Sequence, residues 1–313
     1  MRVEVLAQAA VTMGLNFASG GAYCLALQFA REKRRILLVL LIGVVLSSPL
    51  LIRPSGAGLL RFAMAAMAVE VAFRLYDLHR NSAALCRPKG FALMGYALNP
   101  FAIVLQRVAA EQPRSARQNL HVFAVGMALG GMSIGLMVYV FHIDWTRYPF
   151  VFEHCAKVIS FFLVIQFLFN GLSALYRLAG LPATTFAGCF FLSATPAEFW
   201  RRYNRPVEQF FHQYVFRPAG GLHRPLLATM ATFAFSAVVH EYAFDIAAKR
   251  VLGYQILFFL IQGAATALTL RVRLDRRGRL PAIVLTSAFN LATAYLFFLS
   301  MNALVPFYVT GRK

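Results

Sequence analysis

Acidic residues are scarce in this 313-residue chain: 12 Asp and Glu stand against 31 Lys and Arg, giving a formal net charge of +19. Charge of either sign is scarce as well, at 14% of residues, where a soluble domain carries about 25%. Cysteine is limited to Cys24, Cys86, Cys155 and Cys189, far apart and with no CxxC pair. Neither a disulfide framework nor a thiolate metal site is indicated. The same composition excludes a disordered chain, a collagen and a coiled coil. What is abundant is apolar surface. Hydrophobic residues make up 59% of the chain, and mean hydropathy is +0.63. One core cannot hide that much, so the expected solvent is lipid and the expected class is an integral, multi-pass membrane protein.

The basic excess is punctuation between apolar runs, as in Arg31-Glu32-Lys33-Arg34-Arg35 and Arg276-Arg277. That is the pattern of cytoplasmic loops facing anionic lipid or an anionic cosubstrate, and nucleic acid is not an expected partner. Arginine outnumbers lysine 26 to 5, which points to a GC-rich genome and a bacterial inner membrane. The first apolar run, 5–30, is too long for a signal-peptide core, and its positive cluster follows rather than precedes it. It reads as a span that stays.

A span needs about 20 mostly apolar residues. Runs 5–30, 36–52, 120–141, 158–176, 225–247, 252–270 and 281–305 qualify, and 59–75 is a weaker eighth that carries Arg61, Glu70 and Arg74. The i,i+4 spacing of Glu70 and Arg74 predicts a self-neutralising helical pair. The fold expected is all-α: one polytopic domain over 1–313 with about eight spans and additional interfacial or re-entrant amphipathic helices. Placing 31–35, 74–117, 177–224 and 271–279 in the cytoplasm gathers most positive charge on one side and leaves both termini outside. Stretch 91–107 holds Asn99-Pro100 in its middle, the mark of a broken or interfacial helix. Run 120–141 contains Gly126-x-x-x-Gly130 and Gly131-x-x-x-Gly135, where a neighbouring helix can approach closely. No internal repeat of the transporter kind is visible.

The most informative stretch is 195–217. Thr195 is placed to cap a helix, Pro196 fits its first position, and Glu198 completes a capping box. Phe199, Trp200, Tyr203, Val207, Phe210, Phe211 and Tyr214 form one side of this helix. Arg201, Arg202, Asn204, Arg205, Glu208, Gln209 and His212 form the other. The expectation is an interfacial helix with aromatics toward lipid and arginines toward headgroups. Pro206 should break it just after Asn204, freeing nearby carbonyls from intrahelical bonds. Simple anchoring is the plain alternative.

The next span carries His240-Glu241 among Phe, Ala, Val and Tyr, and ionisable residues inside a span are costly enough to suggest function. His240-Glu241-Tyr242-Ala243-Phe244 puts Phe where a zincin needs its second His. The other histidines form no HxxxH or HxxHH box, and DxxxD pairs, GxSxG and a P-loop are all missing. What remains is one intramembrane His and an Arg-rich helix about 36 positions upstream.

Here the chain resembles a family. Phe191-Leu192-Ser193-Ala194-Thr195-Pro196-Ala197-Glu198-Phe199-Trp200-Arg201-Arg202-Tyr203-Asn204 looks like the FLATS-x-x-FWGRRWN signature of membrane-bound O-acyltransferases. The wax synthase (long-chain-alcohol O-fatty-acyltransferase) branch is the most similar. Phe235-Ser236-Ala237-Val238-Val239-His240-Glu241 resembles that branch's F-x-x-SG-x-x-HE block, in the same order and spacing. The two blocks span only about 50 residues. The usual glycine before the Arg pair is absent, Tyr203 replaces a Trp, and Ala237 stands where Gly is common, which leaves the acceptor alcohol open.

The resemblance implies helices around a central tunnel, acyl-CoA as cosubstrate with no permanently bound cofactor, and esterification of a lipophilic alcohol's hydroxyl. His240 and Asn204 are the implied active-site pair. Attack on a thioester needs a base for the hydroxyl proton, and an apolar span favours an imidazole in its neutral, base form. Arg201, Arg202, Arg205 and Arg217 would face the CoA phosphates or, equally, lipid headgroups. A sterol, glycan or secondary-metabolite acceptor remains open within the same superfamily. A non-catalytic lipid or solute transporter, with His240 lining its pathway, is the alternative from another class.

Overall fold

The computed structural model describes residues 2–27, 29, 31–81, 96, 99–104, 106 and 114–309; Cys86 and most of stretch 91–107 lie outside them. Among the described residues the fold is helical throughout, without strands. The long helices are α1 (Arg2–Ala26), α2 (Arg31–Ser47), α3 (Gly58–Asn81), α4 (Ala116–His142), α5 (Phe150–Leu178), α8 (Pro225–Ala248), α9 (Tyr254–Thr269) and α10 (Arg276–Asn302). Two seven-residue helices, α6 (Pro196–Arg202) and α7 (Arg205–Phe211), lie between α5 and α8. Each of the eight predicted runs overlaps one long helix, but not all of these helices are long and apolar enough to span. Among the described residues, five stretches are both long and apolar enough to cross a membrane: Glu32–Leu51, α4, α5, α8 and α10. The protein is an integral membrane protein.

The chain folds as two compact units, residues 1–109 with 239–252, and 110–238 with 253–313. In the first unit α1, α2 and α3 pack around Tyr23, Leu38, Val45, Ala68, Val71, Leu75 and Leu78. Arg61, doubtful in a span by composition, is buried because its guanidinium serves carbonyls: Ala247 at 2.8 Å and Pro54 at 2.6 Å. Arg74 pairs with Glu70 at 3.7 Å, as the i,i+4 spacing predicts. The turn at Asn99-Pro100 is buried here, with the Asn99 carboxamide accepting from the Phe101 N–H at 2.9 Å. The last turns of α8 belong to this unit, where Phe244 packs on Phe62 with ring centroids 4.5 Å apart. Just beyond α8, Lys249 donates to the Arg53 carbonyl at 2.6 Å and so joins the loops after α2 and α8, which the charge pattern places on the same side.

In the second unit α4 lies against α5. A Cβ added to Gly126 would sit 2.6 Å from the Gly171 Cα, and one on Gly130 would sit 2.9 Å from the Leu168 Cα. Of the two glycine pairs on α4, Gly126 and Gly130 make the close approach; Gly131 and Gly135 have open space. At one end of α5, buried Glu153 accepts from Lys157 and from the Val309 N–H, and His154 meets the Tyr308 hydroxyl at 2.7 Å. These bonds tie the segment after α10 to α5. At the other end, Arg177 reaches the Asn119 carboxamide at 2.8 Å.

Candidate active site

The 195–217 stretch folds as two helices rather than one. Thr195 caps α6, accepting from the Glu198 N–H at 3.1 Å. The Glu198 carboxylate reaches past Thr195 to the Ala194 N–H at 2.6 Å, so the expected capping box is displaced by one residue. Glu198 also pairs with Arg202 and, at 2.9 Å, with Arg279 at the start of α10. Burial alone would raise the Glu198 pKa. The bonds from Ala194 and Arg279 and the charges of Arg202 and Arg279 outweigh burial, so the carboxyl lies below its ordinary range.

The break falls at Asn204 itself, not after it. Asn204 has φ 44° and ψ 59°, the left-handed conformation that asparagine tolerates better than other non-glycine residues. Pro206 sits inside the first turn of α7, where a proline costs nothing, and therefore restarts a helix rather than breaking one. The carbonyls expected to be free are in use. The Arg202 carbonyl accepts from the Gly188 N–H at 2.8 Å, and the Asn204 carbonyl accepts from the Glu208 N–H at 3.0 Å. The Arg205 N–H donates to the Phe186 carbonyl at 2.8 Å. The Asn204 side chain is half-buried and does not cap α7.

The aromatic side of this stretch faces protein, which corrects the expectation of lipid contact. Trp200 packs on Phe233, Phe258 and Phe259 while its Nε1 donates to the Gln262 carboxamide at 2.9 Å. Tyr203 stacks on Phe199 with planes 11° apart and meets Phe162 and Phe190 edge-on. Burial pushes the Tyr203 hydroxyl far above the usual phenol range, so it stays protonated. Phe210 and Phe211 are buried. An aromatic stripe at helical spacing reads the same whether it meets lipid or another helix, which is why the sequence pattern misassigned it. Gly263 lets α9 approach α8: a Cβ there would lie 2.7 Å from that of Phe233.

After α7 the chain makes one π-helical turn, His212–Phe216, a feature common at functional sites. Arg217 follows it, exposed, with Nη1 donating to the Gln213 carboxamide at 3.2 Å. Arg201 is exposed and Arg205 half-buried. Arg202 pairs with Glu198 and also donates to the Cys189 carbonyl at 2.8 Å. His240 lies in the unbroken helix α8, half-buried, beside the buried Glu241. It belongs to the first unit, whereas Asn204 and the four arginines belong to the second.

A residue that the sequence reading passed over is Asn170 on α5. Its Nδ2 donates to the Ala187 carbonyl at 2.9 Å, and its Oδ1 accepts from the Ala187 N–H at 3.0 Å. The available signal was a carboxamide four residues after Gln166 in a mostly apolar span.

Residues 132–302, more than half of the chain, match the profile of the membrane-bound O-acyltransferase family. The chain belongs to this family. Among individual proteins, it is 35% identical over 131 residues to Sterol O-acyltransferase 1 of Saccharomyces uvarum, covering 41% of this chain and 20% of that one. It is also 33% identical over 129 residues to Sterol O-acyltransferase 1 of Saccharomyces cerevisiae, covering 41% and 21%. The chain thus spans about a fifth of the length of these relatives.

Proposed function

We propose that the protein is an acyl-CoA-dependent O-acyltransferase that esterifies the hydroxyl of a lipophilic alcohol, working as one domain with about eight spans in a bacterial inner membrane. The observation that carries this reading is Asn204. It stands in a family-matched segment, in a backbone conformation that costs free energy, with its backbone bonded on both sides. Such strain persists where the surroundings over-determine it, commonly at functional sites.

In the proposed reaction His240 takes the proton of the acceptor hydroxyl as its oxygen attacks the thioester carbonyl. The carbon–sulfur bond breaks, and the departing CoA thiolate is protonated by the imidazolium. Asn204 is the second active-site residue, its carboxamide orienting the carbonyl or the hydroxyl. Arg201, Arg202, Arg205 and Arg217 form the basic surface for the CoA phosphates, with Arg202 also holding Glu198. An apolar tunnel admits the pantetheine arm and acyl chain, and no permanently bound cofactor is required.

Two acceptor classes have support. The two sequence blocks resemble wax synthases and favour a long-chain alcohol; the relatives named sterol O-acyltransferases favour a sterol. Purified protein with radiolabelled oleoyl-CoA, given hexadecanol or cholesterol, separates them. Label transferred to hexadecanol supports the first class and label on cholesterol the second. Failure to label either, or any other alcohol in a wider panel, would overturn the acyltransferase reading and favour transport. The orientation has its own test. A cysteine at Gln213, in a background without the native cysteines, should react with a membrane-impermeant reagent only in inside-out vesicles.

A further inference from the structure

Residues 186–188 and 202–205 are bonded to each other as two short antiparallel segments are. Gly188 donates to Arg202 and Arg205 donates to Phe186, one bond on each side of the Asn204 turn. Between those bonds lies Ala187, buried, whose own N–H and carbonyl point the other way. A third strand would normally pair with them. The Asn170 carboxamide takes that place, giving one donor and one acceptor to the same residue. Its second N–H goes to the Gln166 carbonyl at 2.8 Å, so three bonds fix the carboxamide on α5. Further along the same segment Arg177 donates to the Ala183 carbonyl at 3.2 Å.

We propose that Asn170 is a positioning residue for Asn204: by mimicking a strand, its carboxamide fixes the height of Ala187 above α5, and through the flanking bonds holds Asn204 in its left-handed conformation. This rests on the reading of Asn204 as an active-site residue. Satisfying the Ala187 backbone would be reason enough for a polar side chain here. What goes beyond that is the connection: the two bonds adjoining Ala187 are the ones that bracket Asn204. An error of about 1 Å in a reacting group's position costs roughly 100-fold in rate, so the clamp has a kinetic consequence that ordinary packing lacks.

The decisive variant is Asn170→Asp, which keeps the size and the acceptor but removes both donors. Asn170→Ala is the second. In the full-length protein in detergent, hydrogen exchange at Ala187 should speed up in Asn170→Ala, and exchange at Gly188 and Arg205 should speed up in both variants. Slow exchange retained at Gly188 and Arg205 in Asn170→Asp overturns the clamp, even if no acceptor is ever esterified. With radiolabelled oleoyl-CoA and whichever of hexadecanol or cholesterol is accepted, kcat should fall about 10–100-fold and the KM for oleoyl-CoA should stay within about twofold. Faster exchange with unchanged kcat overturns the positioning role. In an Asn204→Ala background, adding Asn170→Asp should change residual turnover little, since the two act as a unit; a fully multiplied loss overturns the proposal. If Asn204→Ala alone leaves kcat normal, the reading of Asn204 fails, and the exchange arm still decides the clamp.

Discussion

His240 is carried in an uninterrupted helix, where the helix register sets the direction of its Cα–Cβ bond, whereas Asn204 stands at a break between two seven-residue helices and is bracketed by backbone bonds from residues 186 and 188. A helical side chain tolerates changes a few residues away, because the backbone bonds of its helix do not depend on any one neighbour. A residue at a break depends on every bond that fixes the break. The two proposed active-site residues should therefore fail differently. His240 should be sensitive to its own replacement, and Asn204 to replacements at several distant positions as well.

The largest expected effect is at His240. Its replacement by Ala removes the proposed base and should lower kcat by about 10²–10⁴-fold, with the protein still inserted and monodisperse, since one half-buried side chain is lost from a helix that is otherwise intact. Turnover near normal in well-folded His240→Ala would sink the mechanism.

Next comes Asn204, where two substitutions separate side chain from backbone. Asn204→Gly keeps easy access to φ 44° and removes only the carboxamide, whereas Asn204→Ala also strains the turn by about 1 kcal/mol. If the carboxamide serves the thioester carbonyl, both should lose roughly 10²–10³-fold in kcat, as when an oxyanion donor is removed. Only Ala should show a lowered Tm. A fully active Asn204→Gly would reduce the residue to a turn former.

How far the sequence foretold this contrast follows from the kind of interaction involved. Hydrophobic runs long enough for a helix are local, and each of the eight overlaps a long helix, though only five candidate spans stand among the described residues. The Thr195, Pro196 and Glu198 signals also marked the start of α6 within a residue. Asn204 was reached through resemblance, but its conformation was not legible. Pro206 drew attention to the residue after the break, whereas the left-handed turn is bracketed by bonds to a non-local strap at 186–188. The Asn170 bonds depend on where that strap runs, and nothing near Asn170 in the chain encodes it. The packing of Trp200 and Tyr203 against protein was likewise invisible, because apolar spacing does not name the apolar partner.

A smaller effect tests whether the Asn204 side is sensitive at a distance. Gly171 adjoins Asn170 and packs on Gly126, where an added Cβ would meet the Gly171 Cα at 2.6 Å. Gly126→Ala should destabilise by about 1–3 kcal/mol through overpacking and should lower kcat by displacing α5. Gly131→Ala and Gly135→Ala, with nothing within 4 Å, should do neither. Thermal unfolding and turnover measured on the three variants check this; equal behaviour of all three would remove α5 from the account of Asn204.

The smallest effect is a pH dependence at Glu198, which braces the other side of the break through Ala194, Arg202 and Arg279. Its carboxyl titrates below the ordinary value of 4.5. A group with a depressed folded pKa contributes stability that is fully present above its unfolded pKa and is lost as pH falls through the folded one. The Tm contribution of Glu198 should therefore be constant from neutral pH down to about 5 and decline below 4.5. Its size should be modest, at most about 1 kcal/mol, because Arg202 and Arg279 are 31% and 46% exposed and solvent screens the pairs. Glu198→Gln should lower Tm at pH 7 and flatten this acid-side decline, while His240→Asn should leave the decline as it is in the unaltered protein. An unchanged acid-side profile in Glu198→Gln would mean that α6 is held by its Thr195 cap and the contacts of its aromatic residues, and that the Glu198 brace on that side of Asn204 contributes nothing measurable.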